Sequence, residues 1–452
     1  MSMIKGKVKQ ILRTEEIDDL KIGINELSRK IDCLSEKLDG YVNLLNGRFD
    51  QLRANQREHI SLDSVVKLDD DSRILICGFY GARNLGDELM LETILRELDE
   101  RGVRATVMLS NNYELDASYY APHRVIYYPR KGMDIAVLAE KFDTIIWGGG
   151  AVIDDSDYCF KVDHARLAYT LLALSKAVLK RGGNVAVLGV STNKELNDAR
   201  FVSDLNEVVR EAKYFALRDS YSLETLRNCG VEVDKIKMID DLALGSFGFD
   251  KIKKKQGDDV TIGIVYVMDD EKMALLCKYT STLVRTLQEK YGKRKNINIR
   301  LIPFYDYMDN DRKLFDVIEN KCLRDLPNNI KVIKEEYVNN MKGVQEILAA
   351  CDYIISMRYH ATLIAGYLGA NVLSIDLRKV HKHYYNKLKY IKDKYCLELL
   401  SFDYGERESE FKKSLDKLLN LPRRTVDEKE LRSIVKAVRR ELGRALDLVV
   451  EV

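Results

Sequence analysis

The chain has 452 residues, 46% hydrophobic and 32% charged, with a formal net charge of +2 at pH 7. That describes a globular protein with a core and room for two to three domains, and a balance so close to neutral argues against a nucleic-acid partner. The cysteines (Cys33, Cys77, Cys159, Cys229, Cys277, Cys322, Cys351, Cys396) form no Cys-x-x-Cys pair, which argues against a zinc site or a disulfide scaffold.

Small buried thiols in a reducing cytosol are expected instead, with no metal site. The first residues carry lysine and no apolar run follows, so no secretory signal is expected. No stretch reaches the roughly 18 apolar residues of a membrane span. The expected location is cytoplasmic.

In chain order, the first signal is a heptad pattern. Ile17, Ile24, Ile31, Leu38, Leu45 and Leu52 are spaced by seven, with Leu20, Leu27, Leu34 and Tyr41 on the alternate row and Arg48 continuing it. This 3-4 alternation predicts an N-terminal coiled-coil helix over residues 17–52, a handle for homo-oligomer assembly. One long amphipathic helix laid on the body is the plainer reading. Residues 53–71 are polar and read as a linker.

Arg73–Cys77 reads as a buried strand, Gly78–Glu88 as a glycine-rich turn, and Leu89–Leu98 as a helix. Gly81 to Gly86 has G-x-x-x-x-G spacing, but Asp87-Glu88 stands where a phosphate loop needs Lys and Ser or Thr. Two readings stay open. The glycines admit a ligand while Asn84, Asp87 and Glu88 bond sugar hydroxyls, or the glycines only shape the turn and the two acids favour the helix start.

The alternation continues with strands at Arg104–Leu109, Arg124–Tyr128 and Thr144–Trp147, the last running into Gly148-Gly149-Gly150 and on to Asp154-Asp155. Helices over 164–180 and 195–212 flank a strand at Asn184–Val190. The strand Tyr214–Leu217 delivers Arg218-Asp219, with Ser220 as the expected cap of a helix over 221–228. A short strand ends in Asp240-Asp241. The charged run 251–259 reads as an interdomain connection.

A second alternating unit follows, with strands at 261–267, 297–304, 331–334, 353–355 and 371–375. After Tyr353–Ile355 comes Arg358-Tyr359-His360, then the small-residue helix Ala361–Leu368. Helix starts favour anions, Arg offers a forked cation, and His holds or gives a proton near neutrality. That combination suits chemistry on an acidic small molecule. A cap and a surface contact are the plainer roles. Thr425-x-x-Glu428 is a capping box for a last helix whose Leu431, Ile434, Val435, Val438, Leu442 and Leu446 share one face, expected to pack on the body.

Five pieces together resemble the polysaccharide pyruvyl transferase family: the Gly78–Glu88 loop, Gly148–Gly150 with Asp154-Asp155, Leu217–Ser220, the Asp240-Asp241 region, and Ser356–His360 with its helix. The match in order and spacing runs over roughly residues 73–400. The G-x-x-x-x-G-D-E loop and the M-R-x-H turn carry most of the specificity. The resemblance implies an α/β protein of two Rossmann-like domains facing across a cleft, GT-B-like, here preceded by the coiled coil. The expected domains are 1–60, 72–248, 258–405, and a C-terminal helical segment at 406–452.

The resemblance also implies transfer of pyruvate from phosphoenolpyruvate, as co-substrate and without a cofactor, onto two hydroxyls of one sugar, free or in a lipid-linked glycan. Arg218, Arg358, Tyr359, His360, Gly149 and Gly150 would hold the donor. Asn84, Asp87 and Glu88 would hold the acceptor. His360 would be the general acid or a phosphate ligand, and Asp87 would orient or deprotonate the acceptor. The chain departs from the family pattern at Asp241, where members often place Pro, and at Met268, where many carry Arg. A nucleotide-sugar glycosyltransferase of the same shape and a non-catalytic scaffold are the alternatives. Ala361–Gly369 lacks the acid that the former commonly uses to hold a ribose.

Overall fold

The computed structural model describes residues 73–109, 117–128, 132–155, 167–192, 194–249, 258–268, 273–306, 310–376, 387–395, 399–422 and 428–450. The expected coiled coil, the run 251–257 and the Thr425 cap lie outside the described residues. Residues 61–452 form one compact unit.

The first half is a parallel sheet in the order β3-β2-β1-β4-β6-β7-β8. Its strands are β1 (Ile74–Cys77), β2 (Thr106–Leu109), β3 (Arg124–Tyr127), β4 (Thr144–Trp147), β6 (Asn184–Thr192), β7 (Tyr214–Leu217) and β8 (Lys237–Met238), and β5 (Gly150–Ile153) pairs with β6. Helices α1 (Leu85–Glu100), α2 (Gly132–Lys141), α3 (Leu167–Lys180), α4 (Ala199–Glu211) and α5 (Ser220–Asn228) connect them. β1, β2, β4 and β7 are buried along their whole length, as a parallel sheet covered on both faces requires. This explains their continuous apolar runs.

The second half repeats the plan in the order β11-β10-β9-β12-β13-β14. Its strands are β9 (Val260–Val265), β10 (Ile297–Leu301), β11 (Ile330–Lys334), β12 (Tyr353–Ser356), β13 (Asn371–Asp376) and β14 (Leu400–Asp403). The helices are α6 (Met273–Tyr291), α7 (Asn310–Cys322), α8 (Met341–Ala349), α9 (Tyr359–Tyr367), α10 (Lys387–Tyr395), α11 (Glu408–Asn420) and α12 (Glu428–Asp447). Both sheets are of the Rossmann kind. Strand order reverses between β1 and β4 in the first and between β9 and β12 in the second, and loops beyond the carboxyl ends of such strands form ligand crevices.

One hydrophobic cluster runs through both halves, from Ile76 and Ile146 through Leu89 and Ile94 to Ile354 and Ile364. Two others belong to one half each. The two C-terminal helices part company. α11 packs on α6 and the β13–β14 edge, whereas α12 returns to α1 and a short 3-10 turn, Leu242–Ser246. The α12 face is the one its periodicity predicts, with Leu431, Val435, Val438, Leu442 and Leu446 buried. Among the described residues, no helix is long and apolar enough to cross a membrane.

Three helix starts differ from the sequence expectation. α1 begins at Leu85, so Gly86, Asp87 and Glu88 form its first turn rather than the end of a loop. α5 is capped by Asp219, whose carboxylate accepts from the Ser222 backbone N–H at 2.7 Å, and not by Ser220. α4 starts only at Ala199, where Asp198 accepts from the N–H groups of Arg200 and Phe201. In both of the latter cases an Asp took the cap because its carboxylate can reach the free N–H groups of the first turn.

The halves meet through backbone at these same strand ends. The Leu85 N–H donates to the Phe304 carbonyl at 2.9 Å and the Asp306 N–H to the Arg83 carbonyl at 3.1 Å, framing an antiparallel bridge between Asn84 and Tyr305. Arg83 adopts φ = +51°, a left-handed conformation costly for a side-chain-bearing residue. From there its guanidinium reaches the buried Asp306 at 2.7 Å, which Arg312 also contacts at 2.7 Å.

Candidate active site

β7 ends in Arg218, which is only 3% exposed. Its Nη1 donates to Asp241 Oδ2 at 2.8 Å and its Nη2 to Ser191 Oγ at 3.1 Å. The guanidinium lies 4.9 Å from the ring centroid of Tyr359, which belongs to the second half. Burial opposes the Arg218 charge, but Asp241 beside it outweighs that and keeps the group above its ordinary range.

Asp241 caps the 3-10 turn that leaves β8. Its Oδ1 accepts from the Ala243 N–H at 3.0 Å, and its own N–H donates to the Tyr395 hydroxyl at 3.1 Å. His360 Nε2, at the start of α9, stands 3.4 Å from the same Oδ1. Burial alone would raise this carboxyl; His360 and Arg218 together overcome it, and Asp241 is held well below the usual carboxylate range.

The other face of the His360 ring meets α1. A Cβ on Gly86 would lie 1.8 Å from His360 Nδ1, so only glycine at 86 leaves room for the imidazole. His360 Nε2 is buried and has no aligned hydrogen bond, as is the hydroxyl of Tyr359. The two rings meet edge to face at 5.0 Å.

Arg358 precedes α9 as its N-cap, its N–H donating to Ser356 Oγ at 3.1 Å. Its Nη2 donates to Asp311 Oδ1 at 2.8 Å, and the guanidinium stands 5.3 Å from the Tyr305 ring centroid. Asp311 also accepts from the N–H groups of Phe304 and Tyr305. Burial dominates here and Asp311's carboxyl is raised despite Arg358. Arg358 Nε has no hydrogen-bond partner among the described residues.

α10 seals the Arg218 end. The Tyr390 hydroxyl donates to the Arg218 carbonyl, and Lys394 Nζ donates to the same carbonyl at 3.1 Å and to that of Ile239 at 3.0 Å. Lys394 also pairs with Asp240 at 2.9 Å.

Comparison with known proteins now bears on this geometry. The family model for polysaccharide pyruvyl transferase matches residues 84–378, spanning every residue just described except those of the 78–83 loop and α10. The chain belongs to the polysaccharide pyruvyl transferase family. Among solved structures it is similar to the UDP-GlcNAc 2-epimerase of Neisseria meningitidis bound to UDP-GlcNAc, at 13% identity over 83% of this chain and 98% of that one, with a TM-score of 0.50. The Methanocaldococcus jannaschii UDP-GlcNAc 2-epimerase matches at 14% identity over 80% and 98%, with a TM-score of 0.51. These likenesses show a GT-B-like fold. Comparison with curated proteins finds no match.

Within this pyruvyl transferase fold the glycines expected to admit a ligand are filled by the protein's own side chains. A Cβ at Gly149 would meet Met90 Sδ at 2.4 Å, and one at Gly150 would meet Asp87 Oδ1 at 2.7 Å. Gly148 likewise makes room for the Tyr80 hydroxyl. The triplet thus lets α1 close onto the end of β4. Glu88 is also committed: it is 2% exposed, its Oε1 accepts from the Gly81 N–H at 2.8 Å and its Oε2 from the Tyr120 hydroxyl at 3.2 Å. It pins the loop from inside. Asp87 is 8% exposed.

Met268 packs with the second half's core. Among the described residues no cluster of His, Cys, Asp and Glu could hold a metal. Sequence reasoning gave no role to Asp241 or Asp311. The doubled acid at 240–241 was visible, but nothing in it said which member would turn inward.

Proposed function

We propose that this protein transfers pyruvate from phosphoenolpyruvate to two hydroxyls of one sugar in a glycan or its precursor, forming a cyclic ketal. The observation that carries the reading is the convergence of Arg218, Asp241, Tyr359 and His360 from two halves at one buried point; Arg358, next to Tyr359 in the sequence, pairs with Asp311. Phosphoenolpyruvate has a carboxylate and a phosphate, and Arg358, whose Nε has no hydrogen-bond partner among the described residues, supplies a cation for one of them. Arg218, spent on Asp241 and Ser191, holds in place the carboxylate that faces His360.

His360 gives its proton to the methylene carbon while a sugar hydroxyl adds to C2, turning CH2 into CH3, and the proton that hydroxyl loses goes to the phosphate. The phosphate leaves with the C2–O electron pair. The second hydroxyl then bonds C2 and loses its proton to Asp87. The products are the ketal and inorganic phosphate.

The Neisseria meningitidis epimerase is bound to UDP-GlcNAc, but α9 here reads Tyr-His-Ala-Thr-Leu-Ile-Ala-Gly-Tyr and offers no carboxylate for a ribose. That favours the pyruvyl reading. The test is incubation with labelled phosphoenolpyruvate and a panel of sugar acceptors. Phosphate release that depends on the sugar, and is lost in His360→Asn, is the expected result. Turnover of a nucleotide sugar without use of phosphoenolpyruvate would overturn it.

A further inference from the structure

We infer that Asp241 is the positioning residue of the proton donor, and that His360 is completed only by contact between the two halves. The inference rests on the pyruvyl reading above, since it assigns a partner to the acid named there. Asp241 and Arg218 belong to the first half, and His360 to the second. Asp241 is the member that touches both, through Oδ2 at 2.8 Å and Oδ1 at 3.4 Å.

Its side chain is fully buried. It is held by the Ala243 N–H, and its backbone N–H is held by Tyr395, so it has little freedom to follow a moving partner. A carboxylate fixed in this way sets the orientation of the imidazole. Gly86 fixes the ring from the opposite side by giving Nδ1 the space a side chain would take. Separating the halves withdraws both supports at once. The acid is therefore complete only where the two halves meet.

The experiment is a double-mutant cycle on the full chain, with phosphate release and calorimetric binding of phosphoenolpyruvate as readouts. Asp241→Asn keeps the shape and removes the charge. It should lower kcat on the order of 100- to 1,000-fold, a general-acid-sized effect, while the donor Kd changes by less than about tenfold. Asp241→Asn/His360→Asn should be no slower than His360→Asn alone, since both changes remove one unit. Multiplying losses would overturn the inference.

Gly86→Ala gives a second route that leaves the Asp241–Arg218 pair intact and serves if Asp241→Asn does not fold. Its methyl group must displace the ring, so kcat should fall to a similar degree. Unchanged kcat in Gly86→Ala would also overturn the inference. The imidazole nitrogen resonances of the 15N-histidine-labelled protein separate this outcome from failure of the pyruvyl reading. If the His360 signal shifts in both variants although the wild type releases no phosphate from phosphoenolpyruvate, the coupling stands and the substrate is wrong. If the signal does not move, the coupling itself falls.

Discussion

The two strand-end arginines face the same problem and solve it differently. Arg218 has its guanidinium spent on Asp241 and Ser191 and its face on Tyr359, and is almost wholly buried. Arg358 gives one nitrogen to Asp311, leans on Tyr305, and keeps a buried Nε without a hydrogen-bond partner among the described residues. One is built into the protein, and the other is held ready.

The carboxylates record the contrast. Asp241, beside His360 and Arg218, is depressed. Asp311, with one, is raised. Glu88, buried in the first turn of α1 beside Asp87, is pushed up to about 7, burial being the largest cause. Burial pushes all three carboxyls up, and of the three only at Asp241 do the neighbours overcome it.

The largest test removes each arginine in turn. Arg218→Ala strips a buried carboxylate of its closest cation and should cost about 3–5 kcal/mol. Arg358→Ala leaves Asp311 with two backbone donors and a carboxyl already inclined to protonate, and should cost only about 1–2 kcal/mol. Urea unfolding of the two variants measures the difference, and equal costs would end the comparison.

Glu88 gives the next effect. Its folded pKa, about 7, lies above the ordinary 4.5, so the folded state binds the extra proton. The resulting stability is fully present below pH 4.5 and is lost as pH rises through 7, amounting to about 3 kcal/mol. Glu88→Gln should remove that dependence, leaving it more stable than wild type relative to the low-pH difference; parallel urea midpoints for the two proteins from pH 4.5 to 8 would contradict it.

Arg358→Lys sharpens the contrast at the donor. A point charge replaces a fork, and KM for phosphoenolpyruvate should rise about tenfold with little loss of stability. Steady-state kinetics and thermal melting read both quantities. The smallest change is at the latch. Arg83→Gly relieves the φ = +51° backbone and loses one contact to Asp306, which Arg312 still holds. The two effects oppose each other, and the net change in urea stability should stay within about 1 kcal/mol.

Much of this was legible in the residues. Continuous apolar runs ending in glycine or charge marked the parallel strands, because a strand buried on both faces has no polar side. The α12 periodicity gave its buried face. Arg218 and the 358–360 turn were found because both stand where a strand delivers side chains to a crevice. Less legible was what the glycines make room for. Gly86, Gly149 and Gly150 each announce a close approach, but His360, Met90 and Asp87 are the groups that arrive, and His360 comes from 274 positions along the chain.

The sequence by itself determined the alternation of strand and helix, the doubly wound plan, and which strand ends carry cations, since these follow from local periodicity and composition. Only the tertiary structure decided which carboxylate answers each cation. Asp240 and Asp241 are chemically the same residue in the same dipeptide, yet one pairs with Lys394 at the rim and the other closes on Arg218 and His360. That choice belongs to the turn into the 3-10 segment and to the docking of α9 and α10 against it. It depends on distances between groups far apart in the chain, which no local pattern of residues encodes.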